Sequence, residues 1–235
     1  MPERATPRRL HAATHNNEKT SMNTQPAVIV LAAGKGSRFL GREHKLAQEF
    51  GAATVLGTTL RHAIASQLQV VVVTTEAFAD LARHSIAARD VVVLPEVGVG
   101  NHPLLGMGYS IGAGVNARPD ASGWIVLPGD MPLVQPATIQ AVARQLAEHP
   151  IVYAQHKGRR GHPVGFAAEL YSELATLSGD EGARRLVARY PSLGLEVDDP
   201  GVLIDVDTEA DLDHLRSLEP SPTAPAAPLR NGIVS

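Results

Sequence analysis

The chain of 235 residues carries 21 Lys and Arg against 24 Asp and Glu, a formal net charge of -3, and only 4% of it is aromatic. Proteins held by phosphate backbones show a clustered basic surplus, and single-strand binders stack bases on aromatic rings, so nucleic acid is not the expected partner. The absence of cysteine excludes disulfides, zinc-thiolate and iron–sulfur sites and thiol catalysis, and it fits a reducing cytoplasm, the expected location.

In chain order, residues 1–25 mix charged and small polar residues without an apolar period and are expected to be a disordered extension. They lack the apolar stretch of a secretory signal, and Met22, just ahead of the first strand-like run, is the expected initiator. Residues 26–218 are expected to form one domain. Its predicted strands are Ala27–Leu31, Gln69–Thr74, Asp90–Leu94, Trp124–Leu127, Ile151–Ala154 and Val202–Val206, several of them continuously apolar, as suits strands covered on both faces. Predicted helices lie between them at Thr54–Ser66, Pro136–Glu148 and Asp180–Tyr190, with Pro136 at the first helical position, where its missing N–H costs nothing. The alternation implies a three-layer α/β fold with a mostly parallel sheet. Residues 219–235 form a Pro/Ala-rich tail, expected to be disordered. No apolar run approaches the ~20 residues that span a bilayer, so no membrane partner is expected.

In such folds ligands collect at the carboxyl ends of strands. After the first strand, residues 31–45 read LAAGKGSRFLGREHK. Gly34 and Gly36 let backbone N–H groups turn toward an anion, and Lys35, Arg38 and Lys45 add cations, which together suit a polyphosphate; a Gly-rich turn with surface bases is the alternative. The loop is neither a Walker A motif nor a dinucleotide fingerprint, because Ile29 and Phe39 stand where glycines are needed. After the fourth strand comes Asp130, placed to hold a divalent cation or merely to cap a turn. After the last, Asp205 and Asp207 differ by two, so on an extended segment they face the same way and can share a cation. The alternative is that this segment simply starts a helix, with Thr208 as N-cap and Asp211 in a capping-box position.

Two further segments stand out. Residues 106–114, GMGYSIGAG, have a glycine density that favours a ligand close to the backbone, or a tight packing contact instead. Residues 157–166, KGRRGHPVGF, are turn-rich and basic, an anion receptor or a solvated loop. Gly108-Tyr-Ser110-Ile-Gly112 matches a hydrolase elbow formally but lacks the strand that should lead into it. The 10 His residues include no H-E-x-x-H, which leaves a zinc hydrolase unsupported.

Taken in order, LAAG-x-G-S-R-F with Lys45, GMGYS, GDMPLV, RRGHPVGF and DVDTEADL resemble the motifs of MobA-like nucleotidyltransferases, most of all molybdenum cofactor cytidylyltransferases. The sequence departs from the family pattern in Gly36 for a usual Ser, in one added loop residue around Phe39-Leu40-Gly41, and in Ala210 for a frequent acid. The resemblance implies a three-layer α/β/α Rossmann-like nucleotidyltransferase fold and an Mg2+-dependent transfer of CMP from CTP to the phosphate of a molybdopterin-type cofactor, with release of pyrophosphate. It places Leu31, Ala32, Ala33, Gly34, Gly36, Arg38, Lys45, Gly108 and Ser110 at the nucleotide, with Arg38, Lys45 and Asp130 catalytic. Asp130 and Asp207 would hold the metal, with Asp205 the alternative second ligand, and Arg160 and His162 would face the acceptor. A recipient molybdoenzyme is the further partner implied. Another base, another phosphorylated acceptor and a non-catalytic cofactor-binding accessory protein are the competing readings.

Overall fold

Runs such as residues 70–73, VVVV, can satisfy their backbone and hide both faces only inside a sheet covered by helices on each side. The computed structural model describes residues 25–34, 36, 39, 44–95 and 106–218. The expectations for the N-terminal extension, Met22, the C-terminal tail and Arg38 lie outside the described residues.

A seven-stranded sheet has the order β5-β4-β1-β6-β8-β7-β9. Its strands are β1 (Ala27–Ala32), β4 (Gln69–Thr75), β5 (Val91–Leu94), β6 (Gly123–Pro128), β7 (Ile151–His156), β8 (Arg159–Ala167) and β9 (Ser192–Glu196), while β2 (Glu49–Phe50) and β3 (Ala53–Thr54) form a separate small hairpin. Neighbouring pairs are parallel except those of β8, which runs against both β6 and β7. The sheet is therefore mostly parallel, as expected.

The period-2 alternation of side chains sorts the core into two layers. Val28, Val30, Val70, Val72, Ile125 and Leu127 pack on one face with α1 (Val55–Ala65), α4 (Pro136–Gln145) and α7 (Glu209–Leu218). Ala27, Ile29, Val71, Val73, Trp124 and Val126 pack on the other with α3 (Met107–Asn116), α5 (Tyr171–Ala175) and α6 (Arg184–Arg189). A further helix, α2 (Glu76–Arg83), follows β4. Pro136 is at the start of α4 as predicted, and Thr54 caps α1 by accepting the Gly57 N–H at 3.0 Å. No described helix is long and apolar enough to cross a membrane.

Two sequence expectations are corrected. Val202–Val206 is not a strand: Pro200–Leu203 forms a 3-10 turn, capped by the Asp199 side chain, and residues 204–207 run on outside any sheet. Val202 and Val206 are fully buried, but in the helix-covered core beside α4 and α7 rather than in a ladder. Conversely, the basic 157–166 stretch, read as a turn or loop, contains most of β8, nine residues long and central in the sheet. The helix predicted at Asp180–Tyr190 shortens to α6, whereas α7 begins as the capping-box alternative proposed: the Thr208 N–H donates to Asp211 Oδ2 at 2.7 Å and the Asp211 N–H to Thr208 Oγ1 at 3.2 Å. That hydroxyl and N–H hold the Asp211 carboxyl below its usual range, since they bond only the charged form.

Gly161 explains why so much glycine is tolerated in β8. A Cβ built there would lie 2.0 Å from the Val202 carbonyl oxygen, a backbone atom that cannot swing aside. Gly161→Ala should lower stability by about 2 kcal/mol through overpacking and push the 202–207 segment outward. Thermal denaturation checks the first effect and metal titration the second.

Candidate active site

The chain moves from β1 to β4 and β5 on one side, then returns to β6 on the other side of β1. The loops that leave β1 and β6 therefore diverge and open a crevice at the carboxyl end of the sheet. β8 runs antiparallel to β6, with Val164 opposite Val126, so the beginning of β8 reaches the same rim as the end of β6. Three stretches far apart in sequence meet there.

Leu31 and Ala32 finish β1, Ala33 is buried, and Gly34 emerges exposed. His44, which sequence reasoning did not single out, closes this loop. Its Nδ1 accepts the Leu46 N–H at 3.2 Å, so the ring proton is on Nε2, which donates to the Gly34 carbonyl at 3.1 Å. The ring also lies 4.6 Å from that of Phe78. Gly36 adopts φ +58° against this imidazole, where a Cβ would be 2.6 Å from Nε2. The only local hint was a histidine adjoining the lysine of the motif.

His44 also caps the short 3-10 turn Lys45–Ala47, which aims Lys45 across the crevice. Lys45 Nζ lies 2.6 Å from Asp130 Oδ2 and 2.9 Å from Asp207 Oδ1, with 12% of its side chain exposed. Burial alone would lower the lysine pKa, but the Asp130 and Asp207 carboxylates more than offset it and hold the ammonium above its ordinary value. Asp130 follows β6, whose exit is fastened by the Gly129 N–H to the Leu31 carbonyl at 2.8 Å and by the Thr59 hydroxyl to the Gly129 carbonyl at 3.0 Å. The Val206 N–H donates to the Asp130 carbonyl at 2.9 Å while its side chain is buried, so Asp205 and Asp207 flank an anchored residue.

One oxygen from each of Asp130, Asp205 and Asp207 lies within 4.8 Å of the others. Asp130 Oδ1 is buried and has no hydrogen-bond partner among the described residues. The Asp205 pKa is raised by partial burial first, then by the neighbouring carboxylates of Asp207 and Asp130. Such a set of hard oxygen donors with an orphaned lone pair fits a divalent cation. Asp205 and Asp207, the two alternatives for the second ligand, both stand beside Asp130.

Asp199 is a second residue that the sequence did not reveal. Only 5% exposed, its carboxylate accepts the Gln135 N–H at 2.9 Å, the Thr138 hydroxyl at 2.7 Å and the Gly201 N–H at 3.0 Å. It thus ties the start of α4 to the segment that carries Asp205 and Asp207.

On the β8 side, the Arg160 guanidinium sits 4.4 Å from the centre of the Tyr153 ring. His162 is drawn below its usual pKa by burial, with Asp130 opposing and Arg160 assisting, so it is neutral near pH 7. Ser110 lies in the first turn of α3, its hydroxyl donated to the Gly106 carbonyl at 3.2 Å. It is part of a helix, not a strained elbow between strand and helix, and the hydrolase alternative loses its geometry. The glycines of α3 also serve close packing: the Gly108 N–H donates to the Gly179 carbonyl at 2.8 Å, and added Cβ atoms at Gly108 and Gly112 would press on the backbone of residues 174–179.

Fold and site together define a nucleotide-handling transferase, with a glycine loop, a lysine and a carboxylate cluster at the switch point of the sheet. Comparison with known proteins agrees. The family described as MobA-like NTP transferase domain matches residues 28–193. The purine catabolism protein PucB of Bacillus subtilis is 29% identical over 204 residues, covering 80% of this chain and 94% of PucB. The bifunctional protein GlmU of Alkalilimnicola ehrlichii is 34% identical over 116 residues, 49% of this chain but only 24% of GlmU. Among solved structures, Rv0371c of Mycobacterium tuberculosis H37Rv is similar with a TM-score of 0.70 and 31% identity, covering 83% of this chain and 99% of that protein. The same protein is also known in complex with manganese, similar at a TM-score of 0.67 and 29% identity over 83% of this chain and 100% of that one. The chain belongs to the MobA-like NTP transferase family and is a nucleotidyltransferase.

Proposed function

We propose that the protein transfers CMP from CTP to the phosphate of a molybdopterin-type cofactor in the cytoplasm, with Mg2+ as the metal. The observation that carries the reading is the meeting of Lys45 with Asp130, Asp205 and Asp207 beside the glycine loop. An acceptor phosphate monoester is mostly ionised at neutral pH, its second pKa being ~6, so the nucleophile needs no strong base. Its oxygen attacks the α-phosphorus in line; the new P–O bond forms as the bond to the β-phosphate breaks, and pyrophosphate departs. Lys45, with Arg38, neutralises charge that builds on the departing phosphates, while backbone N–H groups near Gly34 and Gly36 orient the chain of phosphates. Asp130, Asp205 and Asp207 hold the cation, which supplies further charge neutralisation when bound. Arg160 and neutral His162, on the β8 side, receive the acceptor anion. Gly108 and Ser110 mark the end of α3 where the nucleoside lies. That the similar protein Rv0371c is known in complex with manganese supports a divalent ion as the metal.

The test is a thermal-shift screen of CTP, GTP, ATP and UTP with MgCl2, followed by an assay of pyrophosphate release. A nucleotide at 100 times its Kd adds ~2.7 kcal/mol of stability, and CTP should give the largest shift. A larger shift with GTP would reassign the base. CTP and the molybdopterin-type cofactor together should release pyrophosphate, and EDTA should abolish it; CTP binding without pyrophosphate would point to the accessory-protein alternative.

A further inference from the structure

Lys45 lies where a cation shared by Asp130 and Asp207 would lie. Its Nζ contacts one oxygen of each, and the side chain is largely withdrawn from water. An ammonium seated between those carboxylates opposes a divalent ion at the cluster, because the two cations repel and compete for the same negative charge. Lys45 also has an alternative partner nearby if the site accepts a triphosphate, since it stands at the foot of the loop that carries Gly34 and Gly36, tied to that loop by the adjoining His44.

Resting on the nucleotidyltransferase site described above, we propose that Lys45 is a built-in counter-cation that excludes metal from the carboxylate cluster until a triphosphate draws it away. Lys45 then trades two carboxylates for phosphate oxygens, and the carboxylates trade an ammonium for the metal. Once Lys45 leaves Asp130 and Asp207, these groups regain an opposite charge only when both ligands are bound. Metal and nucleotide binding are therefore positively coupled, and by linkage each raises the affinity for the other to the same extent. The three acidic residues are not left as an open trap for free divalent ions.

This assignment separates two effects that a simple phosphate-binding lysine would not separate. Replacing Lys45 by Met keeps the length of the side chain and removes its charge. The variant should bind CTP more weakly yet bind Mn2+ alone more tightly, the second change on the order of tenfold or more, by analogy with the effect of an adjacent cation on a carboxylate's proton affinity. The full chain is titrated with MnCl2, free ion being read by electron paramagnetic resonance, for wild type, Lys45→Met and Lys45→Gln, each checked for folding by circular dichroism. Melting temperature with and without MnCl2 gives a second readout, and the rise should be larger in the variants than in wild type. The gain in affinity should vanish in the double variant Lys45→Met/Asp130→Asn, which places the ion at the cluster. Equal or weaker Mn2+ binding by the Lys45 variants, with the wild type binding Mn2+ in the presence of CTP, would overturn the counter-cation role and leave the nucleotidyltransferase site standing. If neither wild type nor variants bind Mn2+ with or without CTP, the metal reading of the cluster fails, and this inference with it.

Discussion

Asp130→Asn is expected to reduce turnover by a factor on the order of 10² or more, as removal of a charge-stabilising group does, while far-ultraviolet circular dichroism stays that of the wild type. The substitution is isosteric, and Lys45 keeps Asp207 at 2.9 Å, so the crevice retains an ion pair. What disappears is the negative charge at the centre of the cluster, beside which the buried Oδ1 has no partner among the described residues. If the reaction runs as proposed, kcat falls while KM for CTP changes little or rises, because the charge acts on groups that develop in the transition state. Pyrophosphate release at saturating CTP and acceptor is the measurement, and turnover within about threefold of wild type would remove Asp130 from the chemistry.

The largest effect on stability is expected at Asp199, which lies outside the chemistry. Asp199→Ala leaves two backbone N–H groups, of Gln135 and Gly201, and the Thr138 hydroxyl without their acceptor, next to the start of α4, where a negative charge also meets the helix dipole. Each buried donor left unmade costs about 1–3 kcal/mol, although water entering the gap recovers part of it. A net loss of about 3 kcal/mol lowers Tm by roughly 10 °C in a chain of this size. Asp199→Asn keeps one oxygen acceptor and should lose distinctly less. Because residues 200–207 hang from this carboxylate and carry Asp205 and Asp207, the alanine variant should also bind Mn2+ less tightly in the presence of CTP. Calorimetry on the two variants, followed by metal titration, decides the matter; an unchanged Tm for Asp199→Ala would mean that the segment is held by Val202 and Val206 alone.

The sequence displayed some of these features better than others. β1, β4 and β6 were legible because a strand buried on both faces must be apolar at consecutive positions, which helices and loops seldom are, and the half-buried edge strand β5 carries the same kind of apolar run. β8 was not, since Gly161, Pro163 and Gly165 are loop-like residues when read locally. Their reason is tertiary: Gly161 admits the Val202 carbonyl, Gly165 admits Val142 and Leu146, and Pro163 sits beside the register shift in β7, where a missing N–H is tolerated. The false strand at Val202–Val206 came from an apolar pattern that serves burial under helices, and Asp199-Pro200-Gly201 had already marked a turn there. Lys45, Asp130, Asp205 and Asp207, which the structure brings together, were legible because each belongs to a recognisable motif, although the strand expected to carry Asp205 is absent. His44 and Asp199 escaped because the partners that give them their roles, Gly34 and Gln135, stand 10 and 64 residues away.

The reversal of β8 has a consequence for how the rim can be altered. On the proposed function, the nucleotide side is built where strands end, after β1 and β6, but the acceptor side is built where a strand begins, from a hairpin whose tip, Lys157-Gly158, is exposed. A Cβ at Gly158 would meet nothing within 4 Å, although its φ of +72° favours glycine. The hairpin is thus anchored at both ends: its root is fixed in register with β6 through Val164 and Phe166, its exposed tip is pinned to β9 by the Glu196 carboxylate, which accepts the Lys157 and Gly158 N–H groups, and recharging the Lys157 side chain leaves Lys45 and Asp130 in place. Exchanging that tip between relatives would retune which anion is received while leaving the nucleotide grip alone.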